Sequence, residues 1–200
     1  MLKKITLIFL IVTSLVYAQT KKQPVFNLKT INGKTIEIKG TKNGLDIPNA
    51  KGKIIFLEFW GTHCPPCLFS VNHYIELTKK YKDKLEMLAI EVQMTPKEQL
   101  RLFAKNKGIN YKLFTQAENM DFVRYLAIRA GWRNAIPFLV VFDTKGNVVD
   151  IQRGMVSKEY LEKLITSILE YNKNDIKETN STKSNKNETN TTTKDNNKSK

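Results

Sequence analysis

The sequence predicts a single α/β domain built on a mixed β-sheet with helices on both faces. Three observations carry that expectation. Residues 53–60 (KIIFLEFW) are apolar at odd and even positions alike, the pattern of a central strand buried on both sides. Strand-like and helix-like segments alternate through the middle of the chain and then give way to a strand pair and a last helix, an order that suits a sheet with both parallel and antiparallel strands. The chain has 200 residues, 41% hydrophobic and 10% aromatic, enough for one core of ordinary size and too short for two full domains.

The elements follow in chain order. Residues 25–29 and 35–39 alternate apolar and polar, with Phe26/Leu28 and Ile36/Ile38 as the apolar pairs. Asn32-Gly33 lies in the link between them, which predicts an N-terminal β-hairpin. A Gly/Asn/Pro-bearing link covers residues 40–52. After the strand at 53–60, Cys64-Pro65-Pro66-Cys67 opens a helix to about residue 81, and residues 85–93 form the next strand. Thr95-Pro96-Lys97-Glu98 has the form of a capping box with proline at the first helical position; the helix it starts runs to about residue 106, where Gly108 stops it. Residues 111–114 make a short strand and residues 121–130 an amphipathic helix. Residues 138–143 and 148–153 pair around the turn Thr144-Lys145-Gly146-Asn147. Ser157 caps a last helix to about Tyr171, with Tyr160, Leu161, Leu164, Ile165 and Ile168 on one stripe.

Composition excludes several classes. Six prolines and nine glycines are too few for a collagen-like or proline-rich fibre. Two cysteines are too few for a disulfide scaffold. The formal charge of +14 invites a nucleic-acid reading. The excess is spread rather than gathered into one basic helix, and lysine far outnumbers arginine, so the bidentate readout of bases or phosphates has little material. The expectation is no nucleic-acid partner, and a basic surface that favours acidic partners or the peripheral face of an anionic membrane.

The ends differ from the middle. Lys3 and Lys4 precede an apolar run and then Val16-Tyr17-Ala18, the grammar of a secretory signal peptide over residues 1–18; an uncleaved anchor helix is the alternative. Either way the remainder is expected outside the cytoplasm, in the periplasm. Residues 172–200 hold eight Asn, seven Lys and six Thr with a single Ile, a composition that predicts a disordered tail. The folded domain is therefore expected over residues 19–171.

The sharp chemical feature is the pair Cys64 and Cys67. Thiols at i and i+3, one at a helix N-terminus, are placed for a small reversible disulfide in a compartment that permits one. The helix end favours the thiolate at Cys64. Cys67, one turn in, is the resolving thiol, and exchange passes through a mixed disulfide. A structural staple, a zinc site with His63 and His73, and a copper site of two Cys and a His are the competing readings; the staple closes too short a loop, and the metals lack ligands. No cofactor and no metal are expected.

Residues 59–67 (FWGTHCPPC) after an apolar strand, with Ile136-Pro137 before another, resemble the thioredoxin fold. More specifically, residues 24–171 are similar to the TlpA/ResA-like periplasmic thiol–disulfide oxidoreductases, including the N-terminal hairpin and the helix–strand insertion at 96–114. The resemblance implies that Cys64 is the exposed nucleophile and Cys67 the resolving thiol. It implies that Pro137 is a cis-proline facing the disulfide, with the Ile136 backbone pairing to substrate. Glu58, six residues before Cys64, falls where thioredoxins carry a buried carboxylate. An acid inside an apolar strand should titrate high and can relay the Cys67 proton, the alternative being an ion pair with a lysine. Trp60, His63 and Trp132 are read as the rim of the substrate site, with ordinary aromatic packing as the alternative for the tryptophans. The chain departs from the family at His63, where a Trp is usual. It departs again at the spacing from Gly131 to Pro137, which is one residue longer, and at Ser70, where some relatives carry a second acid.

The functional expectation is a periplasmic enzyme that exchanges thiols and disulfides with protein substrates. It is expected to act as a reductant fed by a membrane-bound thiol donor, with cytochrome c maturation as one task. A disulfide oxidant or isomerase, and a redox-inert binding module of the same fold, are the alternatives.

Overall fold

The computed structural model of the chain describes residues 23–188, with side chains up to residue 173. Its first sheet is antiparallel in the order β1 (Val25–Lys29), β2 (Thr35–Gly40), β3 (Leu45–Asp46). The expected hairpin pairs Phe26 with Ile38 and Leu28 with Ile36, so all four apolar side chains share the inward face. The third strand and the 3₁₀ turn Pro48–Ala50 lie in what reads as a plain link. Two residues are too few for a strand period to register in a sequence.

The second sheet has the order β6-β5-β4-β7-β8, from β4 (Ile54–Trp60), β5 (Leu85–Glu91), β6 (Lys112–Thr115), β7 (Phe138–Phe142) and β8 (Val148–Arg153). β4 is parallel to β5, as β5 is to β6, while β7 is antiparallel to β4 and β8; the sheet is mixed, as the element order implies. Every residue of the central β4 is buried. Ile55, Leu57 and Phe59 join one core with the hairpin and helix α3 (Met120–Ala130). Ile54, Phe56 and Trp60 join the other, under α1 (Pro65–Lys80) and the last helix α4 (Lys158–Glu188). Glu58 has the parity of the second set, so it faces α1.

Helix α2 (Lys97–Lys107) ends at Gly108 as expected, with φ of 67°, a left-handed cap that suits glycine. Its start differs. Pro96 is the N-cap and no side chain caps it, because the Thr95 hydroxyl and N–H are both bonded to Glu91 instead. The last helix differs as well. It does not end near Tyr171 but continues to Glu188, so the disorder expected from residue 172 is corrected over residues 172–188. Among the described side chains the buried stripe ends at Ile168, yet no glycine or proline follows to break the helix. The signal-peptide segment and residues 189–200 lie outside the described residues. No described helix is long and apolar enough to cross a membrane.

Candidate active site

β4 ends at Trp60 and the chain turns through Gly61-Thr62-His63 into α1. Cys64 is the N-cap of that helix, with extended backbone (φ −110°, ψ 101°), and its Sγ accepts the Cys67 N–H at 3.3 Å. Pro65 and Pro66 fill the first two helical positions, where a missing N–H costs nothing. Cys64 and Cys67 are joined as a disulfide with Cα atoms 5.2 Å apart. The two sulfurs are not equivalent: Cys67 is 0% exposed and Cys64 6%, at the edge of the surface.

A second segment closes over Cys64. The Ile136–Pro137 peptide is cis, and the Ile136 carbonyl oxygen lies 3.9 Å from the Cys64 sulfur. The Pro137 carbonyl accepts the Gly154 N–H at 2.8 Å, which ties this loop to the end of β8. Trp132 braces it from the other side: its Nε1 donates to the Ala135 carbonyl at 2.8 Å and its ring lies 4.5 Å from that of Phe59. Trp60 is not at the rim. It is 1% exposed and its ring packs 5.7 Å from Phe103, because strand parity turns it beneath α1. Its assignment to substrate contact is corrected to core packing.

Glu58 sits 2% exposed under α1, and burial pushes its carboxyl from 4.5 up to about 8. The Tyr74 hydroxyl donates to its Oε1 at 2.9 Å and offsets part of that rise. No lysine pairs with it among the described residues. Burial, together with the Glu58 charge, holds the Tyr74 and Tyr111 hydroxyls well above their ordinary range. Tyr74 escaped the sequence reading, although Cys67, Ser70 and Tyr74 stand at i, i+3 and i+7 and so share one helix face.

A second buried acid escaped it too. Glu91, the last residue of β5, is 0% exposed. Its carboxylate accepts the Gln93 N–H at 3.0 Å, the Thr95 N–H at 2.9 Å and the Thr95 hydroxyl at 2.8 Å. Thr95 Oγ1 lies 2.8 Å from Thr62 Oγ1, which lies 3.0 Å from His63 Nδ1. The His63 N–H donates to Gln93 Oε1 at 2.8 Å. This close docking needs Gly61, since a Cβ there would fall on the Gln93 side-chain amide. The turn before Cys64 is thus fastened to the β5–α2 loop, and His63 stays exposed at its tip.

Residues 52–148 match the family described as thioredoxin-like. The domain has the thioredoxin-like fold. The thioredoxin-like protein YneN of Bacillus subtilis is 28% identical over 144 residues, 71% of this chain and 75% of that protein. The thiol–disulfide oxidoreductase ResA of Bacillus thuringiensis subsp. konkukian is 29% identical over 149 residues, 74% of this chain and 77% of that protein. Among solved structures, the thiol:disulfide interchange protein of the thioredoxin family from Chlorobium tepidum superposes with a TM-score of 0.61 at 22% identity, covering 76% of this chain and 98% of the other. That last likeness concerns the fold alone. With the Cys64–Cys67 pair in place, the thioredoxin-like chain is a thiol–disulfide oxidoreductase similar to the ResA proteins.

Proposed function

We propose that this thioredoxin-like oxidoreductase reduces protein disulfides outside the cytoplasm, with Cys64 attacking, Cys67 resolving and Glu58 taking the Cys67 proton. The observation that carries the reading is the asymmetry of the pair: one sulfur at a helix N-cap at the surface edge, the other fully enclosed. The Cys64 thiolate attacks a substrate sulfur, the substrate S–S bond breaks, and one substrate thiolate leaves. Cys67 gives its proton to Glu58 and attacks Cys64, which expels the second substrate sulfur. The substrate becomes a dithiol and the enzyme a disulfide. A carboxyl raised to about 8 takes up and gives back a proton near neutral pH, as the relay requires. The Ile136 carbonyl beside Cys64 and the exposed His63 are the proposed substrate contacts, with Pro137 setting the loop.

The direction rests on the two prolines. The first helical turn of α1 offers Cys64 one N–H, that of Cys67, because Pro65 and Pro66 have none. A thiolate with so few donors gives the reduced form little stabilisation, which favours a reducing couple nearer about −270 mV than the −120 mV of strong oxidants. The signal-like residues 1–18 support export to the periplasm, and the likeness to the ResA proteins is the ground for proposing a membrane-bound thiol donor and cytochrome c maturation as a task. A disulfide oxidant or isomerase is the rival within the chemistry, a redox-inert binding module the rival outside it.

Insulin reduction by the purified chain tests the activity, and Cys67→Ser should trap a mixed disulfide through Cys64 where Cys64→Ser traps none. In cells the pair should be held mostly reduced. A mostly oxidised pair would make the protein an oxidant, and no insulin reduction would leave the binding module.

A further inference from the structure

The contacts that lead away from His63 have a direction. A carboxylate accepts hydrogen bonds and never donates them. Glu91 receives two backbone N–H groups, which cannot turn round, and the Thr95 hydroxyl. Thr95 therefore spends its one hydroxyl proton on Glu91, and its oxygen must accept from Thr62 at 2.8 Å. Thr62 in turn spends its proton on Thr95, and at 3.0 Å from His63 Nδ1 it has only lone pairs left to offer. The ring nitrogen that meets it must carry the hydrogen. Which nitrogen of a histidine is protonated is set by the bond the other makes, and here that bond is dictated three residues deep, from a fully enclosed acid. The groups that face this turn from the packed β5–α2 loop are Gln93, Thr95 and Glu91, of which Glu91 alone is charged.

We propose that Glu91, acting through Thr95 and Thr62, is a positioning residue that holds the His63 ring with its proton on Nδ1, so that Nε2 is the nitrogen left to exchange protons with substrate at the exposed turn that leads into Cys64. The inference rests on the reductase reading above and deepens it. When the Cys64 electron pair forms the bond to one substrate sulfur and the substrate S–S bond breaks, the departing thiolate takes the Nε2 proton of the charged ring and leaves as a thiol. The ring is then neutral with Nδ1–H still on Thr62, and it recharges from solvent. Gln93 contributes by anchoring the His63 N–H, which keeps the ring over the same turn.

The test is the tautomer of His63, read by long-range ¹H–¹⁵N NMR on the full chain at about pH 9, well above the ordinary histidine range near 6.5. The signal is assigned by its loss in His63→Gln, since His73 is the other histidine. The wild type and Thr62→Ser should show Nδ1–H. Thr62→Val, which offers no acceptor, should lose that preference. Thr95→Val removes the hydroxyl that takes the Thr62 proton and hands the direction on from Glu91, so Thr62 is free to donate to Nδ1 and the proton should move to Nε2. Insulin reduction should fall about tenfold in Thr62→Val, a part of the 10²–10⁴ that positioned acid–base groups supply, and return in Thr62→Ser. An Nε2–H wild type, or an unchanged tautomer in Thr95→Val, would overturn the proposal. Nδ1–H in a chain that does not reduce insulin would leave the positioning intact and remove the reductase reading.

Discussion

Replacing Glu58 by glutamine should reverse the order of stability between variant and wild type as pH rises. A carboxyl carried from 4.5 to about 8 costs about 5 kcal/mol more to ionise in the fold than in the unfolded chain, at 1.36 kcal/mol per pH unit. Because the folded value is the higher one, the fold binds this proton more tightly. The stabilisation is complete below about pH 4.5 and is lost as pH rises through about 8. The amide has no such dependence. It still accepts from Tyr74, but its NH₂ is left without a ready partner, which costs roughly 1–3 kcal/mol at every pH. At pH 5 the variant is therefore the less stable protein. Between pH 5 and pH 9 the wild type loses about 4 kcal/mol relative to the variant, so the two curves cross at about pH 6 and the variant ends ahead. At roughly 2–4 °C per kcal/mol for a domain of this size, the gap in midpoint moves by about 10 °C between those pH values. Thermal unfolding of the disulfide form is the assay, because neither cysteine titrates there. Tyr74 and Tyr111 stay protonated across the window. A gap that is equal at pH 5 and pH 9 would show that Glu58 does not ionise in this range, and the proton relay would lose its acceptor.

Tyr74→Phe should push the Glu58 ionisation higher still by removing its donor, and stopped-flow kinetics should show the resolving step moved to higher pH while first attack by Cys64 is unchanged. Gly61→Ala should displace Gln93 and free the His63 N–H, lowering the unfolding midpoint by a few degrees, for about 1–2 kcal/mol lost with the bond. Deleting residues 172–200 should leave the midpoint within a degree or two, since the segment holds a single aliphatic residue and the buried positions among the described side chains of α4 are Leu161, Ile165 and Ile168; a drop of several degrees would mean that the segment packs on the domain.

What the sequence revealed, and what it hid, divides along a physical line. The hairpin was legible because Phe26, Leu28, Ile36 and Ile38 alternate without interruption. Glu58 was legible because an acid amid six apolar strand neighbours needs a reason. Glu91 carried the same signal at the end of its own apolar run and went unread. Four residues on, Thr95-Pro96-Lys97-Glu98 satisfied the local grammar of a helix cap, and local grammar says nothing of an acid that competes for the same hydroxyl. Trp60 was misplaced although parity was available: positions 54, 56, 58 and 60 share a face, and the burial of Glu58 commits Trp60 to the same side. The short β3 and the continuation of α4 beyond the apolar stripe leave no periodic trace.

The concealment of Cys67 has a consequence for turnover. In the proposed cycle Cys64 alone meets another protein, so a thiol donor and a disulfide substrate would have to use the same atom and would exclude one another. No ternary assembly carries electrons straight through; each partner leaves before the next arrives, and the chain alternates between two covalent states. That is ping-pong kinetics, and double-reciprocal plots of rate against substrate at several fixed donor concentrations should run parallel.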